Sequence, residues 1–320
     1  MRDIKLDTCK VALITGGWSD EKEISRASGQ ACAQALQDAG FINIDVIDIS
    51  DSCATIQLAQ GNYDVAFIAM HGQYGEDGCI QGLCEILHIP YTFSGVLASA
   101  MATEKNIAKQ VYKEAGIPVP EGIEISASKK CSLEELHSLV ERLGLPIFVK
   151  PACNGSSFGV TKVTKEDQLQ DAITKAQSGG SSALIEQCIE GTEITVPVLG
   201  NEDPQALPII EIVTGADFYD LKVKYEDPSK HHVIPARLDE DIYKKAQEYA
   251  VIAHKALGCA GASRSDFIVT ADGEPVILET NTIPGMTETS LLPDSARHAG
   301  IEFPELCRRL IELAFERFEA

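Results

Sequence analysis

The chain has 320 residues, 44% of them hydrophobic and 23% charged, which accommodates two or three domains with separate cores. Its formal net charge of −21 disfavours nucleic acid and anionic membranes as partners. A polar N-terminus and the lack of a long apolar run argue against a signal peptide and a membrane span. Ten scattered cysteines without a Cys-x-x-Cys pair argue against a zinc site or a secreted disulfide framework, so we expect a cytoplasmic protein.

The first ninety or so residues alternate short apolar runs with one helical pattern. Strands are predicted at residues 11–14, 42–49 and 65–70, and a helix at about 20–39, ended by Gly40. This alternation predicts a parallel sheet with helices on its faces. Ligands bind beyond the carboxyl ends of such strands, where Gly16-Gly17 and His71-Gly72 fall.

The remainder of the chain mixes short strands with helices and favours an α+β arrangement. A helix is predicted over residues 96–115. The other predicted helices are 133–143, 166–177, 242–257 and 304–318, and the other predicted strands are 147–150, 160–163, 183–186, 194–199, 207–212, 267–270 and 276–278. We expect a parallel α/β domain at 1–96, a central unit at 97–190 and a C-terminal unit at 191–320.

A hairpin near the C-terminus carries the sharpest signal. Two β-rich runs flank Asp272-Gly273, the preferred pair for a two-residue turn, which predicts that Asp266 faces Glu279 and Arg264 faces Asn281. Strand alternation then puts these four side chains on one face. Opposed carboxylates destabilise a sheet unless they are neutralised, and a hard divalent cation such as Mg²⁺, held by oxygens of Asp266, Glu279 and Asn281, neutralises them.

Arg264 in this hairpin offers a fixed fork of donors for an oxyanion or a carboxylate. The alternative is a hairpin with its charges simply facing water. The polar, Gly- and Pro-shaped run at residues 282–290 beside the same face favours a binding site. Pro275 cannot donate to the ladder and is able to perturb the register.

A glycine- and serine-rich loop at residues 154–159 follows the strand that ends in Lys150. Its backbone N–H groups and hydroxyls can wrap a phosphate, with Lys150 and Lys105 supplying positive charge. The loop fits Gly-x-Ser-x-Gly, but a hydrolase nucleophile needs a following helix and here a strand follows. The chain has no P-loop motif. A plain turn is the alternative to a phosphate lid.

Three further polar residues have both a structural and a functional interpretation. Glu186 ends an apolar strand and can accept from an adenine amino group or a ribose hydroxyl, or it is a surface strand end. Glu23 stands three residues after Asp20, as in a helix capping box. His71 lies at the carboxyl end of a strand, before a flexible polar loop, or is an ordinary loop histidine.

Together these residues resemble the D-alanine–D-alanine ligases of the ATP-grasp superfamily. The resemblance runs in the same order over nearly the whole chain. It is carried by residues 16–23, His71-Gly-Gln-Tyr-Gly-Glu-Asp-Gly78, Lys150-Pro151, Gly155-Ser-Ser-Phe-Gly159, Tyr219-Asp-Leu-Lys-Val-Lys-Tyr225, Arg264-Ser-Asp266 and Asn281-Thr-Ile-Pro-Gly-Met-Thr287.

The resemblance implies a three-domain ATP-grasp fold that holds ATP between its central and C-terminal units. It assigns the phosphates to Lys105, Lys150, Ser157 and Lys224, the adenine to Glu186 and Ile189, and the ribose to Glu193. It assigns two Mg²⁺ ions, for which Mn²⁺ is an alternative, to Asp266, Glu279 and Asn281. D-alanine and ATP are then the partners, and a homodimer is expected.

The same resemblance assigns the chemistry. Glu23 binds the ammonium of the first D-alanine, with His71 nearby, and Glu23, Ser156 and Tyr225 link the lid and a mobile loop to the N-terminal domain. Arg264 and the Gly285 N–H stabilise the tetrahedral intermediate. The carboxylate of the second D-alanine is bound by Ser290 and Leu291.

Two departures from the family pattern concern the loops. Leu221 stands where an aromatic residue is common, and Phe158 replaces a smaller aliphatic residue, which affects loop closure or subsite size. Tyr225 is retained, which favours D-alanine over D-lactate as second substrate. The alternatives are a D-alanyl-D-lactate or D-alanyl-D-serine ligase, or a catalytically silent paralogue that binds nucleotide.

Overall fold

The computed structural model describes residues 8–153, 159–213 and 232–319. The helices are α1 Lys22–Asp38, α2 Ala54–Gln60, α3 Cys79–Ile86, α4 Val96–Thr103, α5 Lys105–Glu114, α6 Leu133–Leu143, α7 Leu169–Ala176, α8 Glu240–Leu257, α9 Leu291–His298 and α10 Phe303–Glu319. The strands are β1 Lys10–Thr15, β2 Asn43–Asp48, β3 Val65–Ile68, β4 Gly122–Ile125, β5 Ile147–Pro151, β6 Thr161–Val163, β7 Ala183–Gln187, β8 Thr192–Leu199, β9 Gln205–Ala206, β10 Ile210–Ile212, β11 His232–Val233, β12 Ala262–Val269 and β13 Pro275–Asn281. They form one parallel and two antiparallel sheets.

The first sheet is parallel, with strand order β2-β1-β3. Its strands β1 and β3 are apolar because helices cover the sheet, as such sheets require. The predicted parallel α/β arrangement is therefore confirmed. Gly40 adopts a φ of 99° just after α1, where a left-handed glycine ends the helix as expected.

The helix predicted over residues 96–115 is wrong as a single element. Glu104, with φ −82° and ψ 91°, interrupts it and separates α4 from α5. Two contacts from other segments stabilise the break: the Thr103 hydroxyl donates to the Glu76 carbonyl at 2.9 Å, and the Lys105 N–H to the Ala152 carbonyl at 3.1 Å. The helix that begins after the break carries Lys105 at its first position.

The second sheet is antiparallel, with order β4-β7-β5-β6. Helices α6 and α7 cover one of its faces with a separate apolar core. A capping box begins α6, because the Ser132 hydroxyl accepts from the Glu135 N–H and the Glu135 carboxylate accepts from the Ser132 N–H. The face opposite these helices carries Lys150 and Glu186.

The third sheet is antiparallel and follows the order β11-β10-β8-β12-β13, with β9 paired to β8. In its C-terminal hairpin Asp266 pairs with Glu279 and Arg264 with Asn281, as predicted. The predicted two-residue turn is wrong, because the Thr270 N–H donates to the Glu274 carbonyl at 3.0 Å around a three-residue loop. A β-bulge at Leu278 shifts the register back by one residue, so the two errors cancel at the polar end of the hairpin.

Helix α10 returns to the first sheet and shares its core. Leu306, Leu310 and Phe315 belong to the same buried cluster as residues of β1 and β3. Helix α10 and the first sheet therefore pack as one unit although they lie far apart in the chain. In the described part of the chain, no helix combines the length and the apolar character needed to cross a membrane.

We predict that Gly29→Ala destabilises the protein while Gly82→Ala does not. A Cβ at Gly29 would lie 2.5 Å from the Thr15 hydroxyl oxygen, which would push α1 off β1. A Cβ at Gly82, in α3, would meet its nearest atom at 3.9 Å. Urea denaturation should give a loss of about 1–3 kcal/mol for the first variant and a gain of up to about 1 kcal/mol for the second. Equal effects would contradict the packing described for α1.

Candidate active site

A cavity of about 490 Å³ lies where the carboxyl ends of the first sheet meet the polar face of the third sheet. The segments that line it include the start of α1 with the His71 loop, the β8-β12-β13 face, and the loop before α9. Lys105, at the start of α5, also lines it. The cavity therefore collects predicted residues from distant parts of the sequence.

The polar face of the third sheet presents the four hairpin residues predicted to share a face. Arg264, Asp266, Glu279 and Asn281 all line the cavity and are half-buried. The predicted ribose ligand Glu193 lines it from β8.

Thr195 also lies on this face and was not predicted. Its hydroxyl donates to Asp266 Oδ1 at 2.5 Å, and Asp266 pairs with Thr195 across β12 and β8. A threonine alternating with Glu193 on one strand was the available signal.

The opposed acids are neutralised by side chains of the protein itself. Arg264 donates to Asp266 from Nε and Nη2, both at 3.0 Å, and Lys105 Nζ lies 3.3 Å from Glu279 Oε2. From the sequence, a bound divalent cation was offered as the neutralising charge, and these two ion pairs were not identified. Burial opposes the charge of Arg264, but the nearby Asp266 carboxylate raises its pKa above the ordinary value.

No cluster of three or more His, Cys, Asp and Glu side chains suited to a metal occurs among residues 8–153, 159–213 and 232–319. The predicted ligand set contains two acids and one amide, Asp266, Glu279 and Asn281, and all its donor atoms are oxygens. Hard cations such as Mg²⁺ prefer oxygen donors and keep several waters when nucleotide phosphates complete their shell. The donor chemistry of these residues therefore fits Mg²⁺.

A buried ion cluster lies beside the cavity, on the second sheet. Glu186 is 2% exposed, and its carboxylate pairs with Lys150 Nζ at 2.5 Å and with Lys109 Nζ at 2.6 Å. Burial opposes the charge of Glu186, but the two lysines lower its pKa. Lys150 was predicted and Lys109 was not. Ile189 is half-buried in the segment that leads from β7 to β8.

Glu23 lies in the first turn of α1 and lines the cavity. Its capping interpretation is wrong, because the helix begins at Lys22 and Asp20 is not its cap. Glu23 instead pairs with Arg26 at 2.5 Å, and Arg26 donates to Asp48 at 2.9 Å. Arg26, one helical turn after Glu23, was not recognised from the sequence.

His71 is buried and lines the cavity between Ser28 and Glu76. Its Nε2 lies 2.9 Å from the Ser28 hydroxyl, and its Nδ1 lies 3.5 Å from the Glu76 carboxylate. The Ser28 oxygen accepts from the Met286 N–H at 3.4 Å and can donate its own proton to Nε2. The hydrogen-bond pattern therefore favours the tautomer with its proton on Nδ1, facing Glu76.

The loop before α9 presents Gly285 and Ser290 to the cavity, and Leu291, the first residue of α9, also lines it. Ser290 precedes the first residue of α9, and its hydroxyl contacts the Thr287 hydroxyl at 2.7 Å and accepts from the Thr287 N–H at 3.1 Å. The first N–H groups of a helix have no partner within the helix and attract anions. The geometry suits a carboxylate at this helix end.

Several predicted residues lie outside the described ranges. They are Ser156, Ser157 and Phe158 of the glycine-rich loop, and Leu221, Lys224 and Tyr225 of the segment before β11. Their assignments stay predictions.

We predict that Asp48→Asn destabilises the protein at neutral pH and much less in acid. Burial opposes the charge of Asp48, but hydrogen bonds from Ser50, Arg26 and Gly17 together lower its pKa to about 2. Because the pKa of Asp48 is lower in the folded than in the unfolded protein, its ionised carboxylate stabilises the fold at pH values above the unfolded pKa of about 4. This stabilisation is lost as the pH falls towards 2. Urea denaturation should show a wild-type advantage of about 2 kcal/mol at pH 7 that has narrowed by about 1 kcal/mol at pH 3. A difference in unfolding free energy that does not change with pH would show that the charge of Asp48 does not cause the stabilisation.

Known proteins of one family match this sequence along most of its length. The model of the D-ala D-ala ligase N-terminus matches residues 48–94, and that of the D-ala D-ala ligase C-terminus matches residues 111–312. The D-alanine–D-alanine ligase of Pelotomaculum thermopropionicum is 46% identical over 316 residues, which are 97% of this chain and 98% of the relative.

Solved structures agree as well. The D-alanine–D-alanine ligase from Bacillus anthracis, complexed with ATP, superposes with a TM-score of 0.81 at 31% identity and covers 98% of this chain and 99% of its own. The VanG D-Ala:D-Ser ligase from Enterococcus faecalis gives a TM-score of 0.80 at 30% identity over 96% of this chain and 99% of its own. On the site's geometry, the family models and the near full-length identity, this chain belongs to the D-alanine–D-alanine ligase family.

Proposed function

We propose that this protein is an ATP-dependent ligase that converts two molecules of D-alanine to D-alanyl-D-alanine, with ADP and phosphate as the other products. The observation that carries the proposal is the convergence of Arg264, Asp266, Glu279 and Asn281 with Glu23 on one cavity. Family membership over nearly the whole chain supports the same reaction.

The nucleotide would lie between the second and third sheets. Lys105 and Lys150 would bind its phosphates, with Ser157 and Lys224 added from the glycine-rich loop and the segment before β11. Glu186 and Ile189 would bind the adenine, and Glu193 the ribose. A carboxylate accepts up to about four hydrogen bonds, so Glu186 can contact the base while it keeps its two lysines.

Asp266, Glu279 and Asn281 would hold Mg²⁺, or Mn²⁺ in its place. When bound, the metal supplies positive charge that offsets the charge of the transferring phosphoryl group. Arg264 remains beside Asp266, and Lys105 beside Glu279, so both carboxylates stay neutralised when no cation is bound.

The first step activates a carboxylate, which is a poor electrophile. A carboxylate oxygen of the first D-alanine attacks the γ-phosphorus, the bond from that phosphorus to the β,γ-bridging oxygen breaks, and ADP leaves. Glu23 would hold the ammonium of this substrate, with His71 nearby. Ser156 and Tyr225 would act with Glu23 to exclude water, which otherwise hydrolyses the acyl phosphate.

The second step forms the peptide bond. The neutral amine of the second D-alanine attacks the acyl carbon to form the C–N bond, the C–O bond to phosphate breaks with its electrons on the phosphate, and the amine proton released on amide formation is taken up by the leaving phosphate. Arg264 and the Gly285 N–H would stabilise the oxyanion that forms on the carbonyl oxygen. Ser290 and Leu291, at the N-terminus of α9, would bind the carboxylate of the second substrate.

The product suits a peptidoglycan precursor made in the cytoplasm, and we propose a homodimer as the working form. The Enterococcus faecalis relative is a D-Ala:D-Ser ligase. A D-alanyl-D-serine ligase is therefore the second candidate, ahead of a D-lactate ligase or a silent paralogue.

We predict phosphate release from ATP that requires both Mg²⁺ and D-alanine, because the acyl phosphate forms only on a bound carboxylate. A mixture of D-alanine, D-serine and D-lactate should give D-alanyl-D-alanine as the main product by mass spectrometry. Phosphate release that is indifferent to D-alanine would indicate a silent paralogue. A dominant mixed product would instead support the second candidate.

We predict that Arg264→Ala abolishes dipeptide synthesis while ATP still binds, because in the proposed role Arg264 would contact the reacting carbonyl rather than the nucleotide. The matched control is Arg264→Lys, which keeps the charge and loses the fork. Arg264→Lys should retain partial turnover. In Arg264→Ala the loss of a preorganised oxyanion donor should lower kcat by about 100-fold or more. Calorimetry with ATP and a dipeptide assay check the two outcomes. Wild-type turnover in Arg264→Ala would refute the assigned role.

A further inference from the structure

Lys109 is a buried charge that none of the roles assigned above uses. It lies one turn after Lys105 on α5 and is 6% exposed. Its Nζ pairs with Glu186 Oε1 at 2.6 Å and donates to the Leu278 carbonyl at 3.2 Å. Burying an ammonium group is costly unless it is well paired, so these contacts account for its position.

The two contacts of Lys109 belong to different sheets. Glu186 lies on β7 of the second sheet, and Leu278 lies on β13 of the third. Leu278 is the bulged residue, so it has no partner in the register of β12 and β13. Its carbonyl is consequently available to a donor from α5. Lys109 thus bridges the two sheets between which the nucleotide is proposed to bind.

Glu186 connects Lys109 to Lys150. Its carboxylate joins the two lysines, with Lys150 Nζ on Oε2 and Lys109 Nζ on Oε1. Without Lys109, one carboxylate oxygen would lose its partner and Glu186 would be free to turn. The cluster carries one positive charge in excess, which favours an anion nearby.

We propose that Lys109 is a positioning residue for nucleotide binding, which fixes Glu186 and through it holds Lys150 at the phosphates. This inference rests on the proposed function. The hydrogen bond from Lys109 to the Leu278 carbonyl fixes the Lys109 side chain against the third sheet. Burial lowers the pKa of Lys109 to about 8 although Glu186 opposes this shift, as expected for an ammonium group held by few partners.

The test compares Lys109→Met with Lys113→Met. Methionine keeps the length of the side chain and removes its charge, and Lys113 is exposed on the next turn of the same helix. Calorimetry with ATP in the absence of D-alanine should show affinity reduced by about tenfold in Lys109→Met and unchanged in Lys113→Met. The KM for D-alanine should stay within about twofold in both. A purely structural role would instead lower the thermal stability of Lys109→Met without changing nucleotide affinity.

A double-mutant cycle with Glu186→Gln tests the route. If Lys109 acts through Glu186, adding Lys109→Met to Glu186→Gln should cost less than about twofold in ATP affinity. An undiminished loss in the Glu186→Gln background would overturn the proposal, as would wild-type affinity in Lys109→Met. Should Lys109→Met not fold, Lys109→Gln, whose amide can still donate to the Leu278 carbonyl, replaces it. ATP binding and dipeptide synthesis by the wild type separate this inference from the proposed function.

Discussion

The pairing of Asp266 with Glu279 across β12 and β13 is the constraint on which the site depends. It places two carboxylates side by side on a sheet, where they repel each other unless cations are close. Arg264 comes from the same strand as Asp266, whereas Lys105 is brought to Glu279 by a helix from another part of the chain. The break at Glu104, which starts α5 at Lys105, therefore belongs to the same electrostatic arrangement.

The sequence predicted the parts of this arrangement that are local. Strand alternation and a turn signal were enough to place Arg264, Asp266, Glu279 and Asn281 on one face. The predicted two-residue turn was wrong. The pairing is nevertheless right, because a bulge at Leu278, which is not visible in the hydrophobic pattern, offsets the longer loop. The Lys109–Glu186 pair escaped notice for a different reason: it joins residues 77 positions apart, and only the packing of α5 on two sheets brings them together.

The site is also composite at its other end, where α1 contacts the loop before α9. Ser28 accepts from the Met286 N–H, and the Cys32 thiol donates to the Met286 carbonyl at 3.6 Å. Ser28 and Cys32 are one helical turn apart on α1, and together they bind the backbone N–H and carbonyl of Met286. Gly285, the neighbour of Met286, is therefore positioned by the same helix that carries Glu23. A pattern read from the sequence could not show this, because the two segments lie more than 250 residues apart.

The return of α10 to the first sheet affects how the protein is made. Apolar side chains of β1 and β3 are covered in part by residues 303–319, which a ribosome synthesises well after those strands. Until that helix emerges, β1 and β3 expose an apolar surface that can associate with other nascent chains. The first sheet is therefore a part of this molecule that a chaperone would protect during translation.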